Sequence, residues 1–392
     1  MQKTQRIHSL DSLRAIMMML GLVLHSALTY NVTVHGNVWN IKDTEATNIT
    51  TDFLVLMIHS FRMPIFFLIA GFFGALLFYE RKPWQMIKNR TVRIVIPFIV
   101  FLLILTPIMQ FSFGYASETF GGQENALTNA LALFSEFSVY IPKSTSHLWF
   151  LYYLFFATTF TVLLAFLLKK TPKLTQRIKK NGNYIFHKPV LRILFFSGIT
   201  FFILTVLKTP MVASSTSLIP DTNTFVYYTS FYLIGWLLYT SKQQLETLKK
   251  YDWLCVILAI LLVVIQGILI QYADLGLKSN TNSPLLIAFS SSIVWLFIFG
   301  ITGLFIRYGS HHSTRMRYIS DASYWVYLIH LPLTALFPIL LQKVPINGIL
   351  KFLIVTIATA IVCFTSYHFF VRNTFIGKFL NGRKYPKNLK SL

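Results

Sequence analysis

Charged and titratable side chains lie within the most apolar stretches of this sequence. The first such stretch, LDSLRAIMMMLGLVLHSALTY (residues 10–30), contains Asp11, Arg14 and His25. A charged side chain at the centre of a bilayer costs about 3 kcal/mol or more, so residues of this kind are usually retained for function. An imidazole has an unperturbed pKa of about 6.5 and suits proton transfer near neutral pH. The stretch therefore predicts a membrane-spanning helix that carries a potential general base.

Helical geometry places the polar residues of this first stretch on nearly one face. From Arg14 to His25 is eleven residues, or about three turns and about 16 Å along the axis. Asp11 precedes Arg14 by three residues, so we expect the two to pair. Position alone also fits Asp11 and Arg14 as markers of the membrane interface, whereas a buried histidine needs hydrogen-bond partners that lipid does not provide.

The second apolar stretch contains another pair of polar residues. In TDFLVLMIHSFRMPIFFLIAGFF, which begins at position 51, His59 and Arg62 are three residues apart and share a helix face. They are expected about two turns below the outer surface, at the depth of His25. The pattern predicts a polar pocket that opens outwards, with a structural hydrogen-bond cluster as the alternative.

A pair of arginines begins the third apolar stretch. In NRTVRIVIPF, Arg90 and Arg93 are three positions apart, so both guanidinium groups are expected on one side of a helix at the cytoplasmic surface. Guanidinium groups bind phosphates through paired hydrogen bonds. By itself, the pattern fits equally a simple marker of the cytoplasmic helix end.

Two further stretches add titratable and aromatic residues. SHLWFLYYLF places His147 and Trp149 at the outer interface, where a tryptophan ordinarily belongs to the aromatic belt. SYWVYLIHLPL brings Tyr327 and His330 into the bilayer, three residues apart on one face, with Pro332 loosening the helix just beyond. Packing and functional roles are both open for His330.

The composition defines the elements that must position these residues. Hydrophobic residues make up 55% of the chain, charged residues 12%, and the mean hydropathy is +0.59. Apolar runs of about 20 residues, the length of a membrane-spanning helix, recur along the chain. We predict an all-α integral membrane protein with about ten spans, at roughly 11–31, 53–79, 92–110, 147–168, 190–207, 224–241, 253–272, 284–306, 322–341 and 349–371.

The distribution of positive charge predicts the orientation. Alternate connections are basic, for example RKPWQMIKNR (81–90) and KKTPKLTQRIKK (169–180). Because positive residues remain on the cytoplasmic side, both termini are expected there. This asymmetry also explains the net charge of +22 without nucleic acid as a partner. The cysteines, Cys255 and Cys363, lie inside predicted spans and lack a metal-site spacing, so we expect no metal.

No composition shift indicates a second folded domain, so residues 1–392 are predicted to form a single polytopic domain. The longest predicted connections are 32–52 and 111–146 outside and 169–189 inside. Apolar residues recur at helical spacing over 127–137, which predicts a short amphipathic helix near the outer face.

Several of these motifs, in this order, resemble the acyltransferase-3 family of integral membrane acyltransferases, and within it the group of glucan succinyltransferases. The chain has LDSLRA followed by His25 in an R-x10-H arrangement, FRMPIFFLIAGFF, R-x-x-R before Pro97, HLWFLYYL and SYWVYLIHLPL. The motifs fall on four or five of the predicted spans. Each alone is weak, and the specificity lies in their order and spacing.

The resemblance implies an O-acyltransferase of the bacterial inner membrane. Its co-substrate would be cytoplasmic acyl-CoA, succinyl-CoA or acetyl-CoA, with no tightly bound cofactor, and its acceptor a hydroxyl of an extracytoplasmic glycan. By the same resemblance, His25 and Arg14 are the catalytic pair, and Arg90 and Arg93 lie near the coenzyme. The remaining candidates would contact substrate or orient the catalytic groups: Asp11, His59, Arg62, His147, Trp149, Tyr327 and His330.

Other functional classes remain open at this point. A transporter or channel would use intramembrane histidines and arginines as a proton relay or substrate site. Against a proton-coupled carrier, Asp11, Asp52 and Asp321 all lie near span ends. A glycan flippase or assembly scaffold would have no acyl chemistry. The acyl donor, the acceptor glycan, an acyl-enzyme intermediate and the oligomeric state, including a homo-oligomer, are also left open.

Overall fold

The computed structural model of the chain describes residues 7–80, 83–274, 283–382 and 384–385. These residues form helices and no β-strand. Nine helical segments within them are long and apolar enough to cross a membrane, and they correspond to nine of the ten predicted spans. The all-α, multi-pass membrane fold is therefore confirmed.

Fourteen α-helices, numbered here in chain order, account for most of the described residues. Their bounds are α1 His8–Leu28, α2 Ile49–Glu80, α3 Pro83–Arg90, α4 Ile96–Phe120, α5 Ala126–Ala132, α6 Trp149–Lys169, α7 Pro172–His187, α8 Pro189–Val206, α9 Thr222–Thr240, α10 Asp252–Asp274, α11 Pro284–Tyr308, α12 Thr314–Leu341, α13 Gly348–Ser366 and α14 Phe375–Asn381. π-Helical turns occur at Thr91–Val95 and Tyr367–Val371, and short 3₁₀ helices include Gly36–Val38 and Ser146–Leu148.

Several helices differ from the predicted elements. The predicted span 224–241 is the helix α9, but its many threonine and tyrosine hydroxyls leave it outside the nine apolar segments. Helix α4 continues to Phe120, ten residues past the predicted end at 110. The connection 169–189 is largely the helix α7 rather than a loop. The amphipathic helix predicted over 127–137 is present as α5 and the following turn, but it ends at Ser135.

The chain divides into two compact units. The first comprises residues 1–17, 59–90 and 149–312, and the second comprises 18–58, 91–148 and 313–392. Helices α1 and α2 each contribute residues to both units. The candidate site residues are therefore divided between the two units.

In the first unit, glycines permit close contact between α2 and α9. A Cβ atom at Gly71 would overlap the carbonyl oxygen of Tyr232, and one at Gly235 would overlap that of Leu68. Small residues at such contacts let membrane helices approach closely without side chains between them. An ion pair between Arg307 and Asp252, 2.7 Å apart, joins α11 to the start of α10.

In the second unit, the segment between α1 and α2 packs against α12 and α13. One apolar cluster contains Ala27, Tyr30, Ala46, Phe352 and Val355. A second cluster contains Trp39, Ile41, Ala116, Leu331 and Ala335. The loop that follows α1 is thus part of the core of this unit.

Candidate active site

Three histidines from distant parts of the sequence converge in the second unit. His25 lies near the end of α1, His147 in the 3₁₀ helix before α6, and His330 in the middle of α12. The ring centroids of His25 and His330 are 5.3 Å apart, and those of His147 and His330 are 5.6 Å apart. His147 and His330 are only 7% and 2% exposed, so the cluster is largely shielded from solvent.

The proline in α12 gives His147 its hydrogen-bond acceptor. The Nε2 atom of His147 lies 3.0 Å from the carbonyl oxygen of Leu328. In an α-helix that oxygen accepts from the N–H four residues later, but position 332 is proline and has none. The hydroxyl of Tyr327, which is also in α12, donates to the His147 carbonyl oxygen at 2.8 Å. This second hydrogen bond holds the segment around His147 against the same helix. Tyr327 and His147 were each predicted as candidate site residues, but the sequence did not predict that they meet.

His330 is oriented by its own helix. Its Nδ1 atom lies 3.1 Å from the Val326 carbonyl oxygen and 2.8 Å from the Tyr327 carbonyl oxygen. Carbonyl oxygens only accept hydrogen bonds, so Nδ1 carries the proton. In the neutral ring the lone pair is then on Nε2, and the tautomer is assigned by the surrounding groups.

Trp39, which the sequence analysis missed, covers one face of His25. The two rings are stacked, with centroids 5.8 Å apart and planes 20° from parallel. The indole donates to the Thr29 hydroxyl at 3.1 Å and meets the Phe113 ring edge-on at 5.0 Å. Trp39 is 5% exposed. It belongs to a loop, where no periodicity indicates which residues face inwards, so no sequence pattern singled it out.

A buried ion pair anchors the loop that carries Trp39. The ammonium group of Lys351 lies 2.8 Å from the Asp43 carboxylate, and the side chains are 2% and 4% exposed. The backbone N–H of Asp43 donates to the Thr29 carbonyl at 3.0 Å. Burial, and secondarily the charge of Asp43, raises the pKa of Tyr30 well above its usual value. The loop is therefore held by the ion pair and the backbone hydrogen bond of Asp43 as well as by apolar packing.

In the first unit, Arg14 forms the ion pair predicted from its spacing. Its guanidinium lies 3.5 Å from the Asp11 carboxylate and 5.7 Å from the centre of the Phe73 ring. The Arg14 side chain is 37% exposed, so it remains available to a ligand. Helix α1 is continuous from Arg14 to His25, as predicted.

The two arginines of the R-x-x-R motif have different environments. Arg90, in the first unit, is partly buried and donates to the Ala70 carbonyl oxygen at 3.3 Å. Arg93, in the second unit, is exposed, and its guanidinium packs against Gly382. The expectation that both share one face assumed α-helical spacing. Residues 91–95 form a π-helical turn instead, so that spacing does not apply.

The other predicted residues lie in the first unit. His59 and Arg62 are partly buried in α2, and Arg62 interacts electrostatically with Tyr228. Their shared pocket with His25 stays a prediction. Trp149 is 6% exposed and packs against Tyr228, with ring centroids 5.2 Å apart. Trp149 is thus buried beside α9, so the ordinary explanation of a lipid-facing aromatic-belt residue does not hold. A role for Trp149 in contacting substrate or orienting the catalytic groups stays a prediction.

The histidine cluster of the second unit suits proton transfer and the orientation of a reacting group. Within the described ranges, no group of three or more His, Cys, Asp or Glu side chains has the geometry of a metal site. His25 is held between an indole and a second imidazole, and a positioned imidazole is the commonest general base in enzymes. The arrangement suits removal of a proton from a hydroxyl.

Comparison with known proteins defines the class. The profile of the family described as "Acyltransferase domain", the acyltransferase-3 family, matches residues 7–368. The chain therefore belongs to this family of membrane acyltransferases.

Among curated proteins, the chain is similar to glucans biosynthesis protein C. It is 26% identical to that protein of Escherichia coli strain K12 over 350 residues, which cover 85% of this chain and 83% of the relative. The protein of Shigella dysenteriae serotype 1 is also 26% identical, over 346 residues and with the same coverage. No solved structure matches the chain significantly.

Proposed function

We propose that this protein transfers an acyl group, succinyl or acetyl, from cytoplasmic acyl-CoA to a hydroxyl of an extracytoplasmic glycan, with His25 as the general base. Membership of the acyltransferase family supports the reaction class. The name of the relatives, glucans biosynthesis protein C, favours a glucan acceptor. The observation that carries the role of His25 is its position between Trp39 and His330.

The proposed step transfers the acyl group from the thioester sulfur of the donor to the hydroxyl oxygen of the acceptor. A nitrogen of His25 takes the proton of the acceptor hydroxyl as its oxygen forms a bond to the thioester carbonyl carbon. The carbon–sulfur bond then breaks, and the departing thiolate takes the proton from the imidazolium. A positioned base contributes about 10²- to 10⁴-fold to such a reaction.

Arg90 and Arg93 are proposed to bind the coenzyme because of the chemistry of their guanidinium groups. The phosphates of CoA carry several negative charges, and guanidinium groups bind phosphate strongly. Arg93 is exposed and Arg90 has a buried Nε atom with no hydrogen-bond partner among the described residues. Arg14, held by Asp11, is proposed to contact the donor as well. Because acyl-CoA is made in the cytoplasm, these residues would face that side of the bacterial inner membrane.

The function is tested with purified protein in lipid nanodiscs. Acetyl-CoA and succinyl-CoA, each isotopically labelled in the acyl group, are incubated with neutral glucan oligosaccharides, and the glycan is analysed by mass spectrometry. We expect one donor to yield a mass increase of one acyl group per modified hydroxyl and an equal amount of free CoA. Glucan binding without CoA release from either donor would instead support a flippase or scaffold.

A further inference from the structure

The guanidinium of Arg93 lies at the carboxyl end of helix α14, which belongs to the C-terminal segment (residues 375–382, 384 and 385). A Cβ atom added to Gly382 would overlap the Nη2 atom of Arg93, so the guanidinium lies directly against this backbone. Gly382 follows the last residue of α14 and has a left-handed φ of +74°. The last carbonyl oxygens of a helix lack a donor within the helix and carry a partial negative charge, which attracts a cation. Gly382 therefore provides both the space and the helix end that Arg93 contacts.

The backbone of Arg93 is held by a different element. Arg93 lies in the π-helical turn Thr91–Val95, and the hydroxyl of Tyr324 in α12 donates to its carbonyl oxygen at 3.0 Å. A long arginine side chain has many rotamers, and contacts at both its backbone and its guanidinium leave few of them. The position of the guanidinium is therefore set by α12 at one end and by α14 at the other.

The C-terminal segment is itself docked by hydrogen bonds and by an aromatic contact. The side-chain amide of Asn381 donates to the carbonyl oxygen of Asp321 at 3.0 Å. The backbone N–H of Tyr385 donates to the carbonyl oxygen of Arg372, also at 3.0 Å. The centre of the Tyr385 ring is 6.0 Å from the Cζ atoms of both Arg317 and Arg372, which is within the range of a cation–π interaction. Tyr385 is 7% exposed, so the segment is anchored in the second unit beyond Gly382 as well as before it.

We propose that the C-terminal segment is part of the coenzyme site, in which Gly382 is a positioning residue that holds the guanidinium of Arg93 for the phosphates of acyl-CoA. This proposal rests on the proposed function. A side chain that is already ordered loses less conformational entropy on binding, so a positioned guanidinium binds phosphate more tightly than a rotating one. Because Arg93 is exposed, a phosphate can approach its planar fork.

Two glycine substitutions separate the contact with Arg93 from backbone strain. Gly382→Ala adds a Cβ atom that displaces the guanidinium. Gly122→Ala is the matched control, because Gly122 has a φ of +77° but its Cβ atom would meet nothing within 4 Å. In Gly382→Ala we expect Kd and KM for acetyl-CoA to rise about three- to tenfold, at most the effect of losing one charged hydrogen-bonding group. The kcat at saturating acetyl-CoA should stay unchanged, and so should the affinity for acetyl-pantetheine, which has the thioester but no phosphate. Gly122→Ala should match wild type throughout.

A double-mutant cycle decides whether Gly382 acts through Arg93. In the Arg93→Ala background, Gly382→Ala should weaken acetyl-CoA binding no further, because the interaction is already lost. Tyr385→Ala undocks the same segment without strain at position 382, and takes the place of Gly382→Ala if that variant does not fold. Equal fold losses in both backgrounds, or equal affinities for Gly382→Ala and Gly122→Ala, would overturn the positioning role. A wild-type affinity for Arg93→Ala alone would instead overturn the proposed assignment of Arg93 to the coenzyme. Size-exclusion profiles and thermal unfolding of each variant verify folding.

Discussion

The imidazole of His147 is hydrogen-bonded to the Leu328 carbonyl oxygen at 3.0 Å, and Pro332 is the reason that this oxygen is available. A proline four residues after a carbonyl withdraws the N–H that would otherwise occupy it. In a membrane the freed carbonyl needs another donor, since lipid supplies none. The proline of the HLPL motif thereby joins α12 to the segment that precedes α6.

Replacing Pro332 should weaken this junction without unfolding the helix. Pro332→Ala restores an N–H that competes with His147 for the Leu328 oxygen. We expect the acyl-transfer rate to fall roughly fivefold, equivalent to about 1 kcal/mol for one hydrogen bond, while thermal stability is unchanged or higher because alanine favours helix. Pro338→Ala, in the same helix, is the matched control. Equal rates for wild type and Pro332→Ala would show that the junction does not affect the site.

Removing the indole over His25 should affect the rate more than the fold. Aromatic pairs contribute about 0.5–1.5 kcal/mol beyond burial, so Trp39→Phe should lower kcat roughly two- to tenfold and Trp39→Ala more. Trp84, which is 73% exposed, supplies the control Trp84→Phe. Initial rates of CoA release, measured with a thiol reagent, compare the three variants. If Trp39→Ala retains the full rate, stacking on His25 has no role in catalysis.

The arginines are tested by acyl-CoA affinity. Because a charge-assisted hydrogen bond is worth about twice a neutral one, Arg90→Ala and Arg93→Ala should each weaken acyl-CoA binding about tenfold in isothermal titration. Arg90→Lys should not restore affinity, since lysine lacks the planar fork. Arg177→Ala changes an exposed arginine of α7 and is expected to bind normally. Unchanged affinity in either motif variant would remove that arginine from the coenzyme site.

The buried ion pair under the loop predicts a stability effect. Lys351→Ala leaves the Asp43 carboxylate buried without its cation, and breaking such a pair costs about 3–5 kcal/mol. A large fall in the thermal midpoint is therefore expected in detergent. Lys351→Met combined with Asp43→Leu should recover much of it, because no charge remains unpaired. The exposed Lys343→Ala serves as reference, and a Lys351→Ala midpoint equal to that of Lys343→Ala would contradict the prediction.

Local features of the fold could be predicted because they depend on neighbours in sequence. Nine of the ten proposed spans are found as apolar helices, since twenty consecutive apolar residues have few alternatives to a membrane helix. The Asp11–Arg14 pair follows from a three-residue spacing on a helix. The extension of α4 to Phe120 was missed because its mixed aromatic and polar residues end the apolar run without ending the helix.

The tertiary contacts within the site could not be predicted from the sequence. The contact between His25 and His330 joins residues about 300 positions apart, and no spacing rule relates them. Trp39 lies in a loop whose conformation depends on Asp43 and Lys351. The π-helical turn after Arg90 changes the register on which the R-x-x-R argument depended. One local signal was available in the sequence. Pro332 has no N–H, so the carbonyl oxygen of Leu328, four residues earlier, needs another donor.

The rate of glycan ester formation by His25→Gln tests the general base most directly. Glutamine keeps the polarity and approximate size of the imidazole but takes up no proton near neutral pH. His311→Gln, in the exposed connection between α11 and α12, is the matched control. With saturating acyl-CoA and glucan, we predict that His25→Gln loses at least about 100-fold in kcat while His311→Gln equals wild type. A His25→Gln rate within twofold of wild type, at about the error of the assay, would contradict His25 as the base.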